Sequence, residues 1–209
     1  MARFADQSIS AFLDALASAD PTPGGGTAAA VGGAIGVSLL MMVAGLPKTR
    51  GNNDAERVQL DATRAALLAV RDRLLTLADT DTAAYNSVIA AYRLPKGTED
   101  EKAARKQAVQ HAMQAATEAP LDILTAVAEG MAHAKVIAEL GNPSAASDVR
   151  VALEFLEAAG AGASANVEIN LTTQQDEAFR KASASTMIEM SNQLTEQSAA
   201  ARSALTPAQ

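Results

Sequence analysis

Residues 19–50 read ADPTPGGGTAAAVGGAIGVSLLMMVAGLPKTR. Three consecutive glycines, Gly24 to Gly26, lead into a long run of small and apolar residues, and no charge occurs between Pro21 and Pro47. Such a run can cross a bilayer, cradle a phosphate, or form a wall of small side chains. The first is disfavoured because seven glycines and many alanines contribute little transfer energy, and no second apolar run of that length follows. The second is disfavoured because PTPGGGT lacks the spacing and the lysine of a nucleotide loop and no strand precedes it. What remains is a central helix, apolar all round because its neighbours surround it. The glycines before it either bring bare backbone and free N–H groups against a ligand or simply let two helices cross closely.

The rest of the 209-residue chain fits that helix into one domain spanning residues 1–209. Apolar residues make up 48%, yet there are only four Phe, two Tyr and no Trp, so Ala, Leu, Val, Met and Ile must fill the core. That diet favours helices packed closely through alanine. A net charge of −7 argues against a nucleic-acid partner, which needs clustered Lys and Arg. With no Cys and only His111 and His133, no metal constellation is visible, and disulfides and thiolate chemistry are excluded. The start, MARFADQSIS, has no apolar signal core, so a cytoplasmic protein is expected.

Periodicity predicts helices throughout. SISAFLDALAS places Ile9, Phe12, Leu13 and Leu16 on one face. Thr27 is expected to cap the central helix, which Pro47 stops. Asn53 or Asp54 caps a third helix running through Tyr92. Thr98 and Glu101 have capping-box spacing for a fourth, which Pro120 is expected to interrupt. ELGNPSAASD ends a fifth helix and begins a sixth, and Asp176 opens the last. The fold class is an all-α, single-domain bundle that dimerises through apolar helical faces.

One position breaks the pattern. Counting by sevens along the third helix gives Leu60, Leu67, Leu74, Asp81 and Val88, so a carboxylate occupies an apolar slot. Its helical neighbours Leu77, Ala78, Ala84 and Tyr85 are apolar too. Asp79 instead looks towards Asp72, Thr76 and Asn86, an ordinary solvated face. A carboxyl group among leucines loses hydration and gains pKa, which suits proton transfer near neutrality, whereas a groove rim or a pairing arginine would make the same acid structural.

Three stretches together resemble a known family: FLDALASADPTPGGGTAAAVGGAIG, DTDTAAYNSVIAAYRLPKGTEDEKAAR and GNPSAASDVRVALEFLEAAGAGASANVEINL. In order and over nearly the whole chain they are similar to the formiminotetrahydrofolate cyclodeaminases and methenyltetrahydrofolate cyclohydrolases. The resemblance implies an all-helical homodimer acting on one-carbon units of tetrahydrofolate, with no metal and no cofactor beyond that substrate. The family's proton donor, four residues before an aromatic, falls on Asp81 with Tyr85. The loop Pro23, Gly24, Gly25, Gly26 and Thr27 is implied to form part of the folate cleft, with the glycines in close backbone approach. Asn142 and Asp148 match the family's GN and SD and have the chemistry to bond a pterin edge. Asn166 and Asn170 match NV.IN, as ligand contacts or as structural polar groups.

This chain departs from the pattern after the central helix, where relatives carry a basic pair and an aromatic. Here Lys48 and Arg50 stand without a ring. Either cation can meet the carboxylates of a folate tail, while glycine backbone and alkyl faces flank the pterin in place of the ring. One carboxyl of raised pKa serves as acid in the deaminase and as base in the hydrolase. A module with no room for a formiminotransferase domain resembles the free-standing cyclohydrolases as much as the free-standing cyclodeaminases, and the cyclohydrolase is slightly favoured. A non-catalytic folate-binding or structural dimer is the alternative, against which Asp81 speaks.

Overall fold

A computed structural model describes residues 3–48 and 53–205, and every regular element among them is helical. Arg50, one of the two candidate cations, lies outside them.

The small-residue run forms α2 (Gly25–Gly45), with Leu46 as its C-cap just before Pro47. Its N-cap is Gly24, which has no side chain to offer. Thr27, expected as the cap, is the third residue of the helix and is fully buried. At the other end Arg57 donates to the Ala44 carbonyl at 2.5 Å, satisfying one of the helix's last acceptors. α2 is the one described helix long and apolar enough to cross a membrane. Its long sides pack instead on α3 (Asp54–Tyr92) and α6 (Ala146–Leu171). Val37, Leu40 and Val43 of α2, Leu60, Leu67 and Leu74 of α3, and Leu153 and Leu156 of α6 belong to one fully buried core. The helices come this close because side chains are missing where they cross. A Cβ on Gly36 would stand 2.9 Å from the Ala152 carbonyl oxygen, and one on Gly33 would stand 3.0 Å from Val127.

Local chemistry sets most boundaries as expected. Asn53 caps α3 by accepting from Glu56 N–H at 2.9 Å, and Thr98 and Glu101 form a reciprocal capping box for α4 (Glu99–Ala132). Asp176 caps α7 (Glu177–Ala204), which packs on α4, α6 and the short α5 (Ala134–Leu140). Arg202 ties α7 to Glu154 and Glu157 of α6.

Three expectations fail for tertiary reasons. α4 runs unbroken through Pro120. Proline lacks the N–H that would bond the carbonyl four residues earlier. That carbonyl belongs to Ala116, and Asn170 of α6 donates its side-chain amide to it at 2.6 Å. A bond from another helix thus replaces the missing one, and the break falls at His133 instead. α1 (Ile9–Leu16) is capped by Ser8 but buries no residue: Ile9 is 81% and Leu13 55% exposed, while Phe12 meets Phe4 edge-on at 5.7 Å. Asp79 is not on a free solvated face. It is half-buried, accepts the Phe4 backbone N–H at 2.9 Å and lies 3.6 Å from Arg3, which docks the N-terminal segment against α3.

The bond across Pro120 generates a double-mutant prediction. Asn170→Ala should cost about 1–2 kcal/mol by stranding the Ala116 carbonyl. The cost should shrink in the background Pro120→Ala, where the helix supplies its own donor. Urea unfolding of the four proteins measures the coupling, and strictly additive effects would show that Asn170 holds nothing together.

Candidate active site

The site begins where α2 starts. The first turn of any helix leaves N–H groups without partners, and here no capping side chain covers them. Asp81 of α3 arrives at this point with its carboxylate against the turn. It can do so only because residue 26 is glycine: a Cβ there would lie 2.7 Å from Asp81 Oδ2 and 2.6 Å from Cγ. Gly26 therefore makes room for the acid and also lines the cleft with Gly24 and Gly25, while Gly25 is exposed and its nearest side-chain neighbour is the Asn166 amide.

Thr27 completes the seat. Its hydroxyl lies 3.0 Å from Asp81 Oδ2, 3.1 Å from the Thr82 hydroxyl and 3.4 Å from the Ala78 carbonyl oxygen. Two effects oppose each other at the acid. Burial pushes the carboxyl above its ordinary value of 3.8, and the Thr27 hydroxyl and backbone N–H pull it down; the upward effect is the larger. No cation neutralises Asp81: it belongs to none of the ion pairs among the described residues. The structure thus holds a half-buried carboxyl, raised in pKa and touching helix-start N–H groups, at the wall of a cleft of about 220 Å³. A carboxyl raised in this way holds a proton more readily than an exposed one, which suits it to proton transfer.

Tyr85, one turn along α3 from Asp81, lines the same side, and Ala116 of α4 with Asn166 and Asn170 of α6 line the rest, so the Pro120 repair and the cleft share residues. Asn166 donates to the Gly162 carbonyl at 2.8 Å and Asn170 to Ala116, and both side chains therefore stand fixed. Pro23 follows Thr22 through a cis peptide; Pro21 and Thr22 line the cleft, whereas Pro23 is not among its lining residues.

Other candidates stand elsewhere. Lys48 lies past the C-terminus of α2, about 28 Å from Gly26 at 1.5 Å per residue over the nineteen residues to Gly45. Asn142 is at that end too, donating to the Pro47 carbonyl at 2.7 Å and capping a 3₁₀ turn, Pro143–Ala145. Asp148 sits in the first turn of α6, whereas Asn166 in the cleft is near that helix's other end. Neighbouring motifs in the sequence occupy opposite ends of helical rods, which is why the three do not join Asp81 within one chain.

A set of cations that motif reading passed over lies nearer. One helical turn beyond Ala116, a trough continues along α4 past Met113, Val109 and Gln110 to Arg105, Lys106 and Lys102, with Tyr92 of α3 and Gln175 on its sides. Its two parts have volumes of about 430 and 410 Å³. Arg105 stacks over the Tyr92 ring at 5.5 Å, and Lys102 pairs with Glu99. Lys96 and Lys106 also line the basic part and enter no ion pair among the described residues. The available signal was the spacing of Lys102, Arg105, Lys106 and Val109, which puts them on one helical face.

The raised carboxyl has a stability consequence with a definite sign. A folded-state pKa above the unfolded one contributes stability that is complete below the unfolded value, near 3.8, and is lost as pH rises through the folded value. Ionised Asp81 is therefore a net cost at neutral pH. Asp81→Asn should melt higher than the unaltered chain at pH 7, and the difference should vanish as the pH approaches 3.8. A lower melting temperature for the variant at pH 7 would mean that the ionised form is the one the fold favours.

Comparison with known proteins places this geometry. The sequence model described as formiminotransferase-cyclodeaminase matches residues 8–189. A methenyltetrahydrofolate cyclohydrolase of Methylorubrum extorquens is 38% identical over 176 residues, covering 83% of this chain and 84% of that protein. A formimidoyltransferase-cyclodeaminase of Rattus norvegicus is 33% identical over 84% of the chain, which spans only 32% of the rat protein. The crystal structure of a formiminotetrahydrofolate cyclodeaminase from Thermotoga maritima superposes with a TM-score of 0.86 over 96% of both chains, at 28% identity. With the match running from residue 8 to residue 189 and a relative of similar extent 38% identical, the chain belongs to the formiminotransferase-cyclodeaminase family.

Proposed function

We propose that the chain is a folate one-carbon enzyme that hydrolyses 5,10-methenyltetrahydrofolate to the 10-formyl compound, or forms the methenyl compound from 5-formiminotetrahydrofolate with loss of ammonia. The hydrolase is favoured slightly, because the cyclohydrolase relative matches this chain over most of both lengths. The observation that carries the reading is the Asp81 carboxyl, raised by burial and set at the mouth of an open cleft.

In the hydrolytic direction water adds to the methenyl carbon as Asp81 takes one of its protons; the remaining hydroxyl proton passes to N5 as the N5–carbon bond opens and the formyl C=O forms, so Asp81 ends protonated. In the deaminating direction N10 attacks the formimino carbon, the N10 proton passes to the imino nitrogen, and Asp81 supplies the second proton as that nitrogen leaves as ammonia. Neither step calls for a metal or a second cofactor, since the acid–base group and the charge on the folate supply the driving force. The cleft takes the pterin end. The trough then receives the glutamate tail, its length from Ala116 to Lys102 being about 21 Å at 1.5 Å per residue over fourteen residues. Lys96 and Lys106 stand where the tail's carboxylates arrive.

The chain acts as a homodimer in this reading. Ile35 and Met42, 44% and 43% exposed, lie seven residues apart on the outer face of α2, and α6 adds the exposed Val151 and Phe155. An apolar face on the most apolar helix is suited to a second copy related by a two-fold axis. Light scattering should give a dimer at micromolar concentration and a monomer for Ile35→Glu. A monomer for the unaltered chain would remove the assembly from the proposal.

Two substitutions divide the site into chemistry and binding. Asp81→Asn should lower kcat by about a hundredfold or more with KM nearly unchanged, because it removes the titrating proton but keeps the shape. Lys96→Glu with Lys106→Glu should do the reverse, raising KM by about tenfold at an intact kcat. Loss of methenyltetrahydrofolate absorbance above the spontaneous rate and release of ammonia from formiminotetrahydrofolate are the two assays. Absence of both activities in the unaltered chain would leave a non-catalytic folate binder.

A further inference from the structure

Both reactions move a proton across the protein boundary once per turnover. Hydrolysis of the methenyl cation to a neutral formyl compound releases one proton, and formation of that cation with loss of ammonia from the neutral formimino compound consumes one. The proton passes through Asp81, yet a bound folate covers the cleft side of this carboxyl. The acid then needs another way to exchange with solvent before the next cycle.

The far side of α3 offers one. Asp81 and Thr82 are adjacent but face different cavities. Asp81 lines the folate cleft, whereas Thr82 lines a separate cavity of about 450 Å³ with Phe4, Gln7, Asp79 and Asn86. Thr27 joins the two. Its hydroxyl, fully buried, lies 3.0 Å from Asp81 Oδ2 on one side and 3.1 Å from the Thr82 hydroxyl on the other. We propose that Thr27 and Thr82 form a proton-exchange path from Asp81 to water in this second cavity, so that the acid is reset while folate still occupies the cleft.

This inference rests on the reading of Asp81 as the acid–base group. A hydroxyl both donates and accepts, so each of the two can take a proton on one side and release its own on the other. After hydrolysis, the protonated Asp81 gives its proton to Thr27 Oγ1, the Thr27 proton moves to Thr82 Oγ1, and the Thr82 proton moves to a water in the far cavity. Both hydroxyls end neutral, Asp81 ends as carboxylate, and a buffer base takes up the proton. The deaminating direction runs the same transfers backwards, with a buffer acid reloading Asp81. The Ala78 carbonyl, 3.4 Å from the Thr27 oxygen, is an acceptor towards which that hydroxyl can turn between passages. Valine in place of either threonine would fill the space with a methyl group that carries no proton.

Thr82 is on this account a positioning residue that never meets substrate, and the test must separate proton exchange from simple support of Asp81. Thr82→Val removes the hydroxyl at nearly constant volume. In stopped-flow measurements of methenyltetrahydrofolate loss, its first turnover should keep the unaltered rate. Its steady-state kcat should fall on the order of tenfold and recover as a small buffer such as imidazole is added. Thr82→Ser should behave as the unaltered chain. A slowed first turnover in Thr82→Val would show that the hydroxyl merely holds the carboxyl, and an unchanged steady-state kcat would show that Asp81 exchanges through the cleft. Either result overturns the path while leaving the activity of the unaltered chain in place. An unaltered chain without either activity would instead remove the reading beneath it.

Discussion

The contact between the Asp81 carboxylate and the bare first turn of α2 is the constraint on which the rest of the site depends. Two helices meet there with an ionisable group between them, and a single methyl group on residue 26 would exclude it. The acid is held between effects of opposite sign. Burial favours the protonated form, and the hydroxyl and backbone N–H of Thr27 favour the ionised one. The carboxyl keeps one side on the cleft and has no cation partner among the described residues. A fully buried acid would never ionise, and one capping the helix from solvent would never protonate at neutral pH.

The scaffold serves this contact by keeping α2 thin. Gly33 and Gly36 allow α4 and α6 to approach its backbone, and Val37, Leu40 and Val43 of α2 interlock with leucine and valine of the neighbours in one core. Close approach has a price in the outer helices, where α4 must pass Pro120 beside the cleft. The Asn170 amide on the Ala116 carbonyl removes the break, and in doing so fixes the cleft wall opposite Asp81. Asn170 thus both repairs α4 and lines the cleft.

What could be read in the sequence follows the range of the physical signal. Caps are local, so Asn53, the Thr98–Glu101 box and Asp176 were legible. The heptad break at Asp81 was legible too, because Leu60, Leu67 and Leu74 report the buried face of one continuous helix. Thr27 was misjudged because its best partner is fifty-four residues away, and a tertiary hydroxyl–carboxylate bond outranks a cap at a helix start that tolerates Gly24. Asp79 was assigned to solvent because helical phase cannot foresee that the chain's first residues fold back onto α3. Lys48, Asn142 and Asp148 illustrate the same limit on a larger scale: motifs are read as neighbours, but a twenty-one-residue helix carries its two ends to opposite poles of the bundle.

The balance at Asp81 also bears on why one scaffold accommodates two activities. Hydrolysis needs the acid to start as a carboxylate and end protonated, and deamination needs the reverse. A strongly raised pKa would favour the second at the expense of the first, and a depressed one the opposite. In the proposed reading one carboxyl serves both directions, so selectivity resides in what else touches the one-carbon unit. The wall opposite is the place for it. Asn166 spends one N–H on the Gly162 carbonyl, which leaves its amide with a second N–H and a carbonyl oxygen by its chemistry. A carbonyl acceptor there suits the N–H groups of a formimino nitrogen, and an N–H donor suits the oxygen of an incoming water. The orientation of this one amide in the occupied cleft, rather than the identity of the acid, is therefore where the two reactions would part.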